Sequence, residues 1–187
     1  SIKMKSSYLE SIEKQFLYYK MLGEKAMEQL GEEQLLWQYN QEANSIAILV
    51  NHIVGNMLSR FTDFLTTDGE KAWRNRDTEF ENPFSSKNEL MAYWDKGWAC
   101  LIDALSKLSE SDLETIIYIR NDGHTVIEAM NRQLAHYAYH IGQLVFIAKM
   151  LKNEEWKTLS IARNKSNDYN QRKFLNEKDK RHYTDDL

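Results

Sequence analysis

Cysteine, proline and glycine are all scarce in this 187-residue sequence, and each scarcity removes a class of structure. The one cysteine, Cys100, cannot close an internal disulfide, so no disulfide framework is available and a reducing compartment is the default. One proline and seven glycines leave few obligatory turns or helix breaks, which favours long helices. Charge of one sign is missing too: 24 Lys and Arg stand against 28 Asp and Glu, well interspersed, for a formal net charge of −4. That balance provides no extended positive field for a phosphate backbone or an anionic membrane, so no nucleic-acid and no membrane partner is expected. Long apolar runs are absent, and no secretory leader precedes the first charged helix. The expected setting is cytoplasmic.

What the sequence does have is apolar residues, 42% of the chain, at helical spacing. Leu9, Ile12, Phe16, Tyr19, Gly23, Ala26 and Leu30 form one 3-4-3-4 stripe. Ser7 with Glu10 is placed to cap that first helix, and Gly31 to stop it. After a polar connection, Asn44 is the expected N-cap of a second helix carrying Ile46, Leu49, Val50, Ile53, Met57, Phe61 and Phe64. Residues 67–84 lose the periodicity and contain Pro83, which reads as a long ordered loop. Ser86 and Glu89 open a third helix, whose buried face is Leu90, Trp94, Gly97, Trp98, Leu101 and Leu105. The stretch ETIIYIRNDGHT is β-branched, ends in Asp-Gly turn chemistry and predicts a short extended piece. Thr125 and Glu128 then cap a fourth helix running to about Lys152. Four amphipathic helices with two longer connections predict an all-α four-helix bundle over 1–152. Residues 153–187 read as an arm or partly disordered tail, with Trp156, Leu159, Ile161, Tyr169 and Phe174 as possible anchors.

The chemistry concentrates in LAHYAYHIGQL, residues 134–144, where His136 and His140 lie one turn apart. Imidazoles at i and i+4 are about 6 Å apart along a helix and project from one side, which is metal-ligand spacing. His52 sits beside the apolar stripe of the second helix, on a face shared with Ser45, Leu49, Asn56 and Ser59. If the second and fourth helices adjoin, the three imidazoles can form a facial set that leaves a divalent metal an open position. On spacing alone, an HxxxH pair is more often two hydrogen-bonded or partly exposed helix residues than a ligand pair. His124, in a turn, and His182, near the C-terminus, stay outside the set.

The block VNHIVGNMLSRFTDFLTTDGEKAWRNRDTEFE, followed far downstream by GHTVIEAMNRQLAHYAYHIGQLV, resembles the DinB/YfiT-like superfamily of metalloenzymes. More narrowly it is similar to a subgroup from Bacillus-type bacteria, over the chain from the first helix to about Leu151. The resemblance implies a four-helix bundle that binds a divalent metal, often nickel or zinc, through one His of the second helix and an HxxxH pair of the fourth. Those roles fall on His52, His136 and His140. It also implies a homodimer, a small-molecule substrate and, in some members, transferase or isomerase chemistry with low-molecular-weight thiols such as bacillithiol or mycothiol.

Several readings stay open at this level. No carboxylate accompanies the HxxxH pair as in H-E-x-x-H hydrolases, which makes plain hydrolysis less attractive. Asn56 and Tyr137 are possible pocket residues; for Tyr137 and Tyr139 packing with a satisfied hydroxyl is favoured. Arg74 and Arg76, in EKAWRNRDTEF, could fork onto a carboxylate at the pocket rim or pair internally with Asp77 or Glu79. Trp73 is expected to anchor that loop, and Cys100 to be a buried structural thiol. The alternatives to a metal-dependent transferase are a non-catalytic metal-binding or stress-response protein and a purely structural bundle.

Overall fold

The apolar stripes become long helices that share one core. In the computed structural model, which describes residues 7–186, the chain is mostly helical with one small two-stranded sheet. Helix α1 (Ser7–Glu28) buries Leu9, Ile12, Phe16, Gly23, Ala26 and Met27. Ser7 is itself helical, the first residue of α1, so it is not the N-cap. Gly31 does not end α1 in a left-handed cap: its φ is −81°, and its N–H donates to Gln34 Oε1 at 3.0 Å to open a short helix, α2 (Glu32–Leu36). That element occupies part of what the sequence reads as a polar connection.

Helix α3 (Ile46–Phe61) starts at Ser45 rather than Asn44, because the Ser45 hydroxyl accepts the Ile48 N–H at 3.1 Å. Every residue of α3 except Leu58 is buried, including Asn51, His52, Asn56, Ser59 and Arg60. Buried polar groups need partners, and these find them mainly in the loop that follows. Helices α4 (Lys87–Ser106) and α5 (Val126–Lys152) complete the core. Helix α3 packs along α4, α1 along α5, and α3 and α1 also meet α5 and α4 respectively. Close approach is set by small residues: a Cβ at Gly23 would lie 2.6 Å from Cη2 of Trp94, and one at Gly97 2.9 Å from Val54. Phe16, Trp94, Trp98 and Tyr137 fill the centre with no measurable exposure. Each contributes on the order of 2–3 kcal/mol by leaving water.

The loop between α3 and α4 is ordered along α3, with a 3-10 turn at Asp77–Phe80. The Asn51 amide donates to the carbonyls of Thr78, Glu79 and Glu81 at 3.2–3.3 Å, and Ser59 Oγ donates to Gly69 O at 2.7 Å. Trp73 does not anchor this loop as expected: it is 60% exposed, and side-chain amides and hydroxyls hold the loop instead. Between α4 and α5, β1 (Ile116–Ile119) and β2 (Asp122–Thr125) form an antiparallel hairpin with Ile116 opposite Thr125. Its turn is Arg120-Asn121, both with positive φ, and not the Asp-Gly pair, which falls inside β2. Asp68 clasps that turn, accepting the N–H groups of Arg120 and Asn121 at 2.9 Å each, while the Gly69 N–H donates to Tyr118 O.

Thr125 caps α5 in a full capping box with Glu128, as its sequence indicates. Beyond α5, Trp156 and Leu159 pack against the core, and α6 (Ser166–Phe174) leads to a C-terminal stretch that returns to α1. There His182 hydrogen-bonds Ser11, Asp185 pairs with Lys14 at 2.6 Å, and Tyr183 meets Tyr18 edge-on. Phe174 is 85% exposed and anchors nothing. Among the described residues, no helix is long and apolar enough to cross a membrane.

Candidate metal centre

The three histidines singled out from the sequence converge. His52 comes from the middle of α3, and His136 and His140 from α5, which packs against α3. The Nε2 atoms of His52 and His140 lie 3.2 and 2.9 Å from Nε2 of His136. Nitrogens bonded to one divalent ion at about 2.1 Å, at angles between the octahedral and tetrahedral values, stand roughly 3.0–3.4 Å apart. Both distances to His136 are close to that spacing, and the ligand atoms of all three residues lie within 4.8 Å of one another, a group able to hold an ion.

The ring orientations are fixed from behind. His52 Nδ1 lies 3.0 Å from Glu79 Oε2, and His140 Nδ1 lies 2.8 Å from Gln143 Oε1. A carboxylate and an amide oxygen only accept, so each Nδ1 carries the proton and each Nε2 presents its lone pair. Glu79 is itself held by Arg74, whose Nε and Nη2 donate to its two oxygens at 2.7 and 3.0 Å. Burial raises the Glu79 pKa, but hydrogen bonds from His52 and Arg74 outweigh it and hold the carboxyl below its usual range. Phe80, from the same 3-10 turn, stacks on His52 with centroids 5.0 Å apart.

Two inward lone pairs face a third imidazole, and a neutral His136 can donate its Nε2–H fully to only one of them. A second proton on that ring is disfavoured: burial above all, then the neighbouring His140 and His52, pushes the pKa of His136 down to about 3. His140 is lowered as well, first by burial. His136 and His140 are thus disposed to stay neutral, and the set offers the imidazole nitrogens that a divalent transition metal prefers. The residues present fit such an ion.

The trio opens into a cavity of about 500 Å³, lined also by Asn44, Asn56, Gln133, Phe80, Tyr139 and five arginines: Arg60, Arg74, Arg76, Arg120 and Arg132. Asn56 and both predicted rim arginines reach this wall. Tyr137 is not among its lining residues: it is fully buried, and its hydroxyl donates to Asn56 Oδ1 at 2.8 Å, so it supports the wall from behind. Arg74 is committed internally to Glu79 and Glu70, while Arg76 lies over the Phe80 ring. Cys100 is half-buried beside Thr62 in a different pocket.

Sequence reasoning did not find Glu79 and Gln143 as the groups that orient the histidines, or Arg60, Arg120 and Arg132 as cavity residues. Gln143 was findable: it stands three residues after His140, hydrogen-bonding distance on a helix. Glu79 carried no comparable signal, since its role depends on a loop path without periodicity.

Residues 3–165 match the profile of a family described as "Protein of unknown function (DUF1572)", and the chain belongs to that family. No curated protein and no solved structure matches it.

Proposed function

We propose that this DUF1572 chain is a metal-dependent enzyme of the DinB/YfiT-like type, a four-helix bundle holding a divalent ion, zinc or nickel, on His52, His136 and His140. The observation that carries the reading is the convergence of three imidazole nitrogens, two of them oriented by Glu79 and Gln143, at the base of a 500 Å³ cavity. A bound ion would supply a Lewis acid with a position open to the cavity. The chain's own residues do the rest. Arg74 fixes Glu79, Glu79 and Gln143 fix the tautomers, and Phe80 shields one face of His52 from water.

The walls also bear on the reaction class. No Asp or Glu lines the cavity, and both oxygens of Glu79 are occupied, so no carboxylate stands ready as general base for water. A thiol, with an unperturbed pKa near 8.5, needs far less help to ionise than water does. That favours transfer from a low-molecular-weight thiol, of the bacillithiol kind, to a small electrophile over hydrolysis. A storage or sensing role in stress, the alternative, leaves a cavity of this size unexplained. Homodimerisation and a cytoplasmic setting belong to the same proposal.

Elemental analysis of untagged protein, beside the His136→Ala, His140→Ala double variant, tests the centre. About one divalent ion per chain in the parent and none in the variant is expected. No ion in either after reconstitution with zinc or nickel would remove the basis of the proposal.

A further inference from the structure

The chain as a whole is acidic, yet the wall of the cavity beside the histidines carries five guanidiniums and, among the described residues, not one carboxylate. Two carboxylates behind the wall answer part of this charge: Glu70 pairs with Arg60, Arg74 and Arg120, and Glu79 with Arg74. Arg76 and Arg132 have no carboxylate partner among the described residues. Arg76 rests over Phe80, and the nearest polar contact of Arg132 is His124 at 3.5 Å, a group that cannot neutralise it. The two enter the cavity from different elements, Arg76 from the α3–α4 loop and Arg132 from α5.

Unpaired guanidiniums on a concave surface that also holds Asn44, Asn56 and Gln133 form an arrangement for an oxyanion. Guanidinium forks match carboxylate and phosphate geometry, and a cavity focuses the field of like charges. Structural contacts leave the charge of the pair unanswered: Arg76 meets an aromatic face and Arg132 a histidine, whereas Arg120 is neutralised by Glu70 at 3.3 Å.

We infer that the cavity takes a small molecule bearing a carboxylate or phosphate group, whose anionic end is held by Arg76 and Arg132 while its remainder extends toward the three histidines. This deepens the preceding reading and rests on it for the place of the chemistry, but anion capture itself requires no metal. A volume of about 500 Å³ lies within the range that holds a ligand of ordinary metabolite size.

The test is calorimetric titration of the full chain, chelator-treated and zinc-loaded, with benzoate, phenylphosphonate and the neutral benzamide. Both anions are expected to bind in either form, and benzamide at least about tenfold more weakly. Their relative affinities separate a carboxylate from a phosphate preference. The Arg76→Gln, Arg132→Gln variant is expected to weaken anion binding at least about tenfold, with zinc content and melting temperature unchanged, because both side chains are exposed. Equal affinity for benzamide, absence of anion binding, or unchanged binding in the variant would overturn the inference. Zinc bound without anion binding would sink it alone; anion binding without zinc would sink the metal reading alone.

Discussion

The carboxylate of Glu79 rests on the bare backbone of Gly55: a Cβ added there would come within 2.8 Å of the Glu79 carboxyl carbon. Gly55 lies three residues after His52 on α3, so the glycine leaves the space through which Glu79 reaches the imidazole. Gly55→Ala is expected to displace Glu79 and release His52 Nδ1 while leaving all three histidines in place. Loss of such a supporting contact typically weakens metal affinity about 10–100-fold. Competition with a chromophoric chelator measures it, and unchanged affinity would show that Glu79 does not tune the site.

Gln143→Leu probes the other support. Without the amide oxygen 2.8 Å from its Nδ1, His140 is free to exchange tautomers and rotate. Metal affinity is expected to fall by a factor of about 10–100. The urea midpoint of the metal-free protein should hardly move, since a half-buried position accepts leucine.

Stability should depend on acid in the absence of metal. The folded-state pKa of His136 is about 3 and that of His140 is also lowered, whereas the unfolded chain takes up these protons below about 6.5. The unfolded state therefore binds more protons as pH falls, so stability is full above 6.5 and declines progressively below it. Glu79, whose pKa is lowered, adds to the loss only below about 4.5, where the unfolded carboxyl titrates. Urea midpoints of chelator-treated protein from pH 7.5 to 4.5 should slope downward. The slope should be shallower in His136→Gln, and an identical slope would rule out His136 as its source.

Tyr137→Phe separates packing from chemistry. The hydroxyl is buried and bonded to Asn56 Oδ1, so its removal should cost about 1 kcal/mol in chemical denaturation. Metal stoichiometry should not change. A loss of metal in this variant would mean that Asn56 and its support reach further into the centre than their geometry indicates.

The legible parts of this protein were the periodic ones. Stripes such as Leu90, Trp94, Trp98 and Leu101 fixed the long helices, and the four-residue step from His136 to His140 marked one face, because a helix converts spacing into direction. The pairing of that face with His52 was open on spacing and was favoured by family resemblance, and the structure brings the three rings together. Helix α2 escaped because five residues carry too little periodicity to distinguish them from a turn. The hairpin turn was misplaced because Asp122-Gly123 has stronger turn chemistry than Arg120-Asn121; the clasp of Asp68 on the Arg120 and Asn121 amides fixes the register instead. Glu79 was legible as a partner of Arg74, a pair the structure contains, but its hold on His52 was not, nor were the arginines beyond Arg74 and Arg76, because those roles arise from elements far apart in sequence meeting around one space.

That same clasp joins two sides of the cavity rim. Asp68 joins the α3–α4 loop, which carries Arg76, to the hairpin, which carries Arg120, and hydrogen bonds from backbone N–H groups, that of Asn121 foremost, hold its carboxyl below the usual range. Two stretches of rim separated by dozens of residues thus form one collar, anchored by Asn51 and Ser59 to a fully packed helix. A frame tied in this way sets the separation of Arg76 and Arg120 through backbone amides, so that the spacing of charge around the opening is inherited from the fold and not from the side chains that carry it.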